Sequence, residues 1–352
     1  MTEQQVVVRL NAETMPMVDE ERAVLAAAGA RVVEIEGDSP AAIIDAATHA
    51  DALMVIAAKV RAAVIDSLER CRVIARVGTG TDNIDVADAT ARGILVTNLP
   101  DFCIDEMADH TMALLLALVR KLPAMHEATL AGRWDARFDP GLRRIRGRTL
   151  GLVGFGNTAK AIVPRARAFG LEVVANHHRY EPGSTVEGVP MLSLDDLLER
   201  SDYVSLHVPL TPATTGMIAE RELRRMRSDA YLINIARGAV VDEDALVRAL
   251  REGWIAGAGV DVFASTNVFA NYGVPPTHAL FEAPNVLFSP HAAACSRESL
   301  VEAKRRAAEQ VALVLQGRWP PNVLNTDVVP RSPLAGPSGV ALTAGDAATG
   351  RG

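Results

Sequence analysis

Three short runs in this chain end in residues suited to chemistry on a small anion. Residues 233–238 read INIARG and place Arg237 just beyond an apolar run. In an open parallel sheet, ligands sit at that end of a strand. A guanidinium fork suits a carboxylate there because it donates two parallel hydrogen bonds. Residues 259–263 read GVDVF, a small-residue strand ending in the acid Asp261. Residues 289–294 read SPHAAA and set His291 at a strand end ahead of a long helix. Imidazole titrates near neutrality, so a histidine in this place suits general acid/base work. Taken alone, the arginine also reads as a surface residue in a strand-to-helix loop, and the histidine as structural.

A fourth stretch, residues 148–179, supplies what such groups act beside. An apolar run at 150–153 is followed by Gly154, Gly156 and Ala159 at the spacing GxGxxA. A helical segment, a stop at Gly170 and a second apolar run at 171–175 complete it. Strand, glycine turn, helix and strand make a dinucleotide-binding unit. Gly154 permits the tight turn, Gly156 lets the backbone approach a pyrophosphate, and the helix N-terminus offers N–H groups to that anion.

The elements that must position these residues alternate along the chain. Candidate strands at 6–10, 31–35, 52–56, 72–76 and 94–96 are interleaved with helices at 19–28, 41–48 and 62–68. Strands recur at 203–207, 231–235, 256–262 and 286–288, with helices at 195–199, 220–226 and 242–251 between them. Such alternation predicts mostly parallel sheets with helices on both faces. Between the two series, Ile104, Met107, Ala108, Thr111, Met112, Leu115 and Leu118 recur at helical spacing and predict one long helix over 100–122. A polar stretch, 126–148, then leads to the glycine turn, and a last long helix runs from about 296 to 315. From residue 330 onward the composition of Gly, Ala, Ser, Thr and Pro predicts disorder.

The length of 352 residues suits two domains. With 43 acidic against 36 basic side chains and no basic block, the composition argues against a nucleic-acid partner. Cys71, Cys103 and Cys295 show no metal spacing and no disulfide framework, which fits a reducing, cytoplasmic setting and no bound metal. The N-terminus MTEQQVVVRL lacks the features of a signal peptide. The longest strongly apolar run, 112–119, is too short to span a bilayer, so no membrane partner is expected.

Over nearly all of residues 1–328 the chain resembles the D-isomer-specific 2-hydroxyacid dehydrogenases. The stretches GLVGFGNTA, LHVPLTPAT, LINIARGAVVDEDAL, GAGVDVF and NVLFSPHAAA carry the likeness, in shared order and spacing. From SPHAAA and the helix after it, the C-terminal binding protein branch is the nearest. The resemblance implies an α/β fold of two Rossmann-like domains with parallel sheets, the cofactor domain inserted into a flavodoxin-like substrate domain. Residues 1–99 and 292–330 would bind substrate, 100–291 would bind the dinucleotide, and 331–352 would form a disordered tail. Carried over, Arg237 would hold the substrate carboxylate and polarise the keto oxygen, while His291 would pass the proton. Backbone N–H groups around Val77, Gly78 and Thr79, with Ala58 and Lys59, would complete the carboxylate site. Cofactor contacts would fall on Cys103, on Gly154, Phe155, Gly156, Asn157 and Thr158, on Val208 and Pro209, on Ile235, Ala236 and Arg237, and on Asp261. The resemblance also implies a homodimer paired through the cofactor domain. The activity implied is hydride transfer between NAD(P)H and a small 2-keto or 2-hydroxy acid. The alternative is a nucleotide-sensing scaffold, since that branch includes corepressors.

Two positions depart from the family pattern. Five residues after Asp261, where the family places a glutamate that pairs with the histidine, stands Thr266, followed by Asn267. Either can hydrogen-bond an imidazole, but neither supplies the negative charge that keeps it protonated. Glu282 is the next acid along the chain. At the end of the second strand of the nucleotide unit, where an acid normally holds the ribose, the chain reads Asn176-His177-His178-Arg179. With no carboxylate to repel a phosphate, and with Arg179 able to pair with one, this favours NADP over NAD. It resembles the His-x-Arg sequence of NADP-using glyoxylate and hydroxypyruvate reductases.

Overall fold

The computed structural model describes residues 4–36, 39–134, 142–264 and 277–336. Their contacts divide the chain into two compact units. One comprises residues up to Phe102 and from Ser296 onward; the other is Cys103–Cys295.

The first unit opens with nine elements. They are β1 (Val6–Leu10), α1 (Asp19–Ala27), β2 (Arg31–Ile35), α2 (Pro40–Ala47), β3 (Ala52–Val55), α3 (Ala62–Ser67), β4 (Val73–Arg76), α4 (Val86–Ala91) and β5 (Leu95–Thr97). The strands pair in parallel in the order β2-β1-β3-β4-β5. The run ALMV is apolar on both faces because helices cover both, and in VVVRL the exception, Arg9, is buried and paired with Glu21 at 2.7 Å. Val7, Met54 and Ala75 pack with Leu25, while the alternate residues Val8, Leu53 and Ile74 pack with Ile43 and Ile65.

The second unit contains α5 (Ile104–Val119), α6 (Leu122–Leu130), β6 (Thr149–Val153), α7 (Asn157–Ala168), β7 (Glu172–Asn176), the short hairpin β8 (Thr185–Val186) and β9 (Val189–Pro190), and α8 (Leu194–Arg200). It continues with β10 (Tyr203–Leu206), α9 (Glu220–Arg225), β11 (Tyr231–Asn234), α10 (Glu243–Arg251), β12 (Gly257–Val260) and β13 (Val286–Phe288). Six strands pair in parallel in the order β13-β12-β11-β10-β6-β7. The order reverses between β6 and β10, which makes their carboxyl ends a topological switch point. One face of this sheet packs on α5 and α7 through Leu115, Ile162, Leu152 and Ile233. The other packs on α8, α9 and α10 through Leu197, Leu223, Leu246 and Val204.

The last helix, α11 (Arg297–Leu315), returns to the first unit, where Ala307, Val311 and Val314 join the face carrying Val7 and Leu25.

Two expectations are corrected here. The single helix over 100–122 ends at Val119, because Lys121 takes a left-handed φ of 50° and Pro123 opens a new helix, α6, inside the stretch read as polar connection. Residues 331–336, placed by composition in a disordered tail, are packed. Arg331 donates to the carbonyls of Leu68 and Arg92, Leu334 is buried, and Ala335 exchanges backbone bonds with Gly317 and Trp319. The rest of that tail, 337–352, lies outside the described residues.

Candidate active site

The glycine turn sits at the switch point of the second unit. Gly154 has φ +93°, and its N–H bonds to the Asn176 carbonyl at 2.9 Å, tying the end of β6 to the end of β7. A Cβ there would lie 2.5 Å from the His207 carbonyl oxygen, so only glycine lets the turn approach β10. At Gly156, the N-cap of α7, an added Cβ would meet nothing within 4 Å. Glycine at 156 is therefore not demanded by the protein's own packing. It leaves open space over a helix N-terminus whose first N–H groups have no intrahelical partner, the cradle a pyrophosphate needs. Phe155 and Ala159 are buried beneath it, and the Thr158 hydroxyl faces Met107 Sδ at 4.0 Å. Cys103, buried, is the N-cap of α5.

Just beyond β7, His177 stacks on His178 with ring centroids 4.5 Å apart and lies 5.1 Å from Tyr180. Its Nδ1 accepts the Arg179 backbone N–H at 3.2 Å, which leaves Nε2 to carry the proton of the neutral ring. Burial, and then the neighbouring charges of His178, Arg179 and Lys160, hold His177 below the usual imidazole range. Lys160 itself pairs with Glu187. Residues 177–180 are thus a polar, cation-rich corner containing no carboxylate.

After β10 come His207, Val208 and Pro209. Both ring nitrogens of His207 are shut off from solvent with no partner among the described residues, and burial pushes the ring down to about 3. Nothing in the local sequence points to a neutral imidazole at the switch point.

Arg237 follows β11, and the loop that presents it is pinned by Asn234. That side chain accepts the Ala236 N–H and donates to the Arg237 carbonyl, each at 3.0 Å. The Arg237 guanidinium, half-buried, donates to the Ala236 carbonyl at 2.8 Å. Gly238 then passes so close to the next strand that a Cβ would fall 2.0 Å from the Phe263 carbonyl carbon, which brings the arginine loop against residues 263–264.

Asp261, the residue after β12, is 1% exposed and organises the histidine segment. Its carboxylate accepts the Ser289 hydroxyl at 2.5 Å and the N–H groups of Ala292 and Ala293 at 2.8 and 3.1 Å. Its carbonyl accepts the His291 N–H at 2.8 Å. His291 between them has φ +54°, a left-handed conformation that a bulky residue keeps only where its surroundings impose it. His110, on α5, places Nε2 2.8 Å from Ser289 Oγ and 3.6 Å from Asp261 Oδ1. Sequence spacing singles out neither His110 nor Ser289, because 179 residues separate them.

Thr266 and Asn267 lie outside the described residues. Glu282 reaches Arg251 at 3.5 Å and is 82% exposed, so it is a surface acid. Glu243 accepts the Ala264 N–H and bonds His278 at 2.9 Å.

In the first unit, two of the backbone donors expected for a carboxylate are already used. The Ala58 N–H, like that of Ala57, donates to Asn11 Oδ1 at 2.9 Å, and Ala58 is fully buried. The Val77 N–H belongs to the carbonyl of Val55. Gly78 and Thr79, by contrast, have backbone N–H groups without an acceptor among the described residues. Their loop is held by Asn98, which donates to the Thr79 carbonyl, and by the Thr79 hydroxyl on Leu99. Lys59 is exposed.

No helix among the described residues is long and apolar enough to cross a membrane, and no cluster of metal-ligating side chains occurs among them.

Comparison with known proteins agrees with this geometry. The family model described as D-isomer specific 2-hydroxyacid dehydrogenase, NAD binding domain, matches residues 112–293. A glyoxylate reductase of Korarchaeum cryptofilum is 40% identical over 292 residues, 82% of this chain and 86% of that one. The crystal structure of an NADPH-dependent glyoxylate/hydroxypyruvate reductase from Sinorhizobium meliloti, in complex with NADP and malonate, superposes with a TM-score of 0.79 at 30% identity. It covers 92% of this chain and 97% of that one. A D-lactate dehydrogenase from Aquifex aeolicus, complexed with NAD and lactic acid, superposes with a TM-score of 0.78 at 27% identity, covering 89% and 96%. These relatives are reductases and dehydrogenases; they lend no support to the C-terminal binding protein branch or to the scaffold reading. The chain belongs to the D-isomer-specific 2-hydroxyacid dehydrogenase family and is an NAD(P)-dependent oxidoreductase of small 2-keto and 2-hydroxy acids.

Proposed function

We propose that this enzyme reduces a glyoxylate-sized 2-keto acid with NADPH, Arg237 holding the carboxylate and His291 moving the proton. The observation that carries the reading is the buried carboxylate of Asp261, which fixes both flanks of a strained His291. Arg237 supplies a charge-assisted, bidentate partner for the acid and draws electron density from the keto oxygen. His291 donates a proton to that oxygen during reduction and takes it back during oxidation. A bound nicotinamide supplies the hydride that completes the change at C2. The glycine turn and the N-terminus of α7 would hold the pyrophosphate, and Gly78 and Thr79 are the donors of the first unit suited to a carboxylate.

The preference for NADPH rests on the corner at 177–180, where His177, His178 and Arg179 stand without an acid. The NADP bound by the Sinorhizobium meliloti reductase accords with it. A homodimer accords with the exposed Leu122, Leu130 and Trp134. A cytoplasmic setting accords with three free cysteines, two of them buried.

Arg237→Ala tests the assignment. It should lower kcat/KM for glyoxylate by roughly a hundredfold or more, since a charge-assisted pair to substrate is lost. Circular dichroism and the NADPH Kd should stay near wild type. An Arg237→Ala enzyme that reduces glyoxylate at wild-type efficiency refutes the role.

A further inference from the structure

The histidine that bonds Ser289 has no part in the reading above. Ser289 has one hydroxyl proton, and at 2.5 Å from Asp261 Oδ1 that proton goes to the carboxylate. His110 Nε2, 2.8 Å from the same oxygen, must therefore be the donor. The tautomer follows: Nε2 carries hydrogen whether the ring is neutral or charged. A directed chain runs from His110 to Ser289 to Asp261, whose carboxylate also accepts the N–H groups of Ala292 and Ala293 that follow His291.

The geometry of Asp261 makes this chain consequential. One of its oxygens, Oδ1, receives both Ser289 and Ala292, while Oδ2 receives Ala293. Rotation of the carboxylate would strip the N–H groups that follow His291. Ser289, held in turn by His110, is what fixes the Oδ1 side. His110 is also rigidly carried. It lies in the middle of a 16-residue helix whose Thr111, Met112, Leu114 and Leu115 are buried, and whose N-terminal turn is tied to α7 by Arg165 bridging Asp105 and Asp109.

Resting on the reading that His291 is the proton donor, we propose that His110 is a positioning residue, holding His291 in its left-handed conformation through Ser289 and Asp261. It touches neither substrate nor hydride, so its loss should lower kcat and leave binding alone.

The test uses the full-length enzyme with glyoxylate and NADPH. His110→Phe should lower kcat roughly tenfold to hundredfold, the scale of a misplaced catalytic group. KM for glyoxylate and the NADPH Kd, read by nucleotide fluorescence, should stay within about threefold of wild type. His110→Gln, whose amide nitrogen replaces Nε2 as donor, should recover kcat to within about threefold. If His110→Phe does not fold, Ser289→Ala carries the test. It should show the same loss of kcat, and Ser289→Thr, which keeps the hydroxyl, should reverse it. Where both single variants fold, the double variant should be no slower than either, because the two residues act in one chain. A His110→Phe enzyme with wild-type kcat, a loss shared equally by the NADPH Kd, or a loss that glutamine does not repair overturns the proposal. If His291→Gln is inactive while His110→Phe is not, only the relay fails. If His291→Gln reduces glyoxylate like wild type, the reading of His291 fails and the relay falls with it.

Discussion

Asp261→Asn is isosteric, and the hydrogen bonds around the carboxylate allow its effect to be worked out. Three donors point at two oxygens: Ser289 Oγ and Ala292 N at Oδ1, and Ala293 N at Oδ2. An amide keeps one oxygen and adds an NH2. The less damaging orientation keeps oxygen at the Oδ1 position and turns the NH2 toward Ala293, whose N–H then loses its acceptor while 3% exposed. An orphaned buried donor costs about 1–3 kcal/mol. The two bonds that survive fall from the charge-assisted range of about 1.5–3 kcal/mol to the neutral range of about 0.5–1.5. The sum is about 3–6 kcal/mol. For a unit of this size, each kcal/mol moves Tm by about 2–4 °C, so the expected drop is roughly 6–24 °C. Scanning calorimetry on the ligand-free protein measures it without recourse to activity. Because the carboxylate also imposes the left-handed φ of His291, kcat for glyoxylate should fall as well. A variant melting within about 2 °C of wild type, with unchanged kcat, would mean that Asp261 neither supports the fold nor holds the histidine.

Four further outcomes follow from single positions. Gly238→Ala should unfold or strongly destabilise the protein, because its Cβ has only 2.0 Å to the Phe263 carbonyl carbon. Gly156→Ala should leave Tm unchanged, since its Cβ meets no protein atom, yet weaken NADPH about tenfold or more by standing where the pyrophosphate approaches. His207 should make the fold acid-labile. Its ring is held down to about 3, so below 6.5 the unfolded chain binds a proton that the native one refuses, and stability falls as pH falls. Between pH 7.5 and 5 wild type should lose about 2 kcal/mol more than His207→Phe, read by urea titration, and equal losses would refute the assignment. His177, also held below its usual range, should take up a proton beside a 2′-phosphate, so NADPH affinity relative to NADH should rise as pH falls below about 6.5. The phosphate's own protonation works against this trend, and His177→Asn isolates it; identical pH dependence in wild type and variant would exclude the histidine.

Much of this site is legible in the sequence because its parts are local. A strand, a glycine at a fixed offset and a helix are written within twenty residues, so Gly154, Gly156 and Ala159 stand out by their spacing alone. Arg237, Asp261 and His291 stand out as well, since each follows the end of an apolar run and parallel sheets place ligands there. The groups that hold them are not legible in this way. Asn11 caps Ala57 and Ala58 from 46 and 47 residues away, which removes an expected carboxylate donor. His110 reaches Ser289 across 179 residues, from the polar side of a helix whose apolar stripe draws the eye instead. Local spacing records what an element is, but not what folds against it. The break at Lys121 lies between these cases: Pro123 is visible in the sequence, but proline begins a helix as readily as it ends one, and only the left-handed φ at 121 shows which.

The departure at residue 266 gives the relay its importance. Five residues after Asp261 the chain has Thr266 in place of an acid, and Glu282, 82% exposed, lies 3.5 Å from Arg251. The described residues hold His291 from the backbone side, through an aspartate that binds its N–H with a carbonyl and its neighbours with a carboxylate. An acid of the usual kind both orients an imidazole and charges it; an arrangement through the backbone does only the first. Thr266→Glu should shift the pH limb of glyoxylate reduction toward higher pH by stabilising imidazolium, with little change in the maximal rate. His110→Phe should lower the maximal rate without moving that limb. If instead Thr266→Glu raises the rate equally at every pH, His291 was poorly oriented to begin with, and the backbone network does not do what its geometry implies.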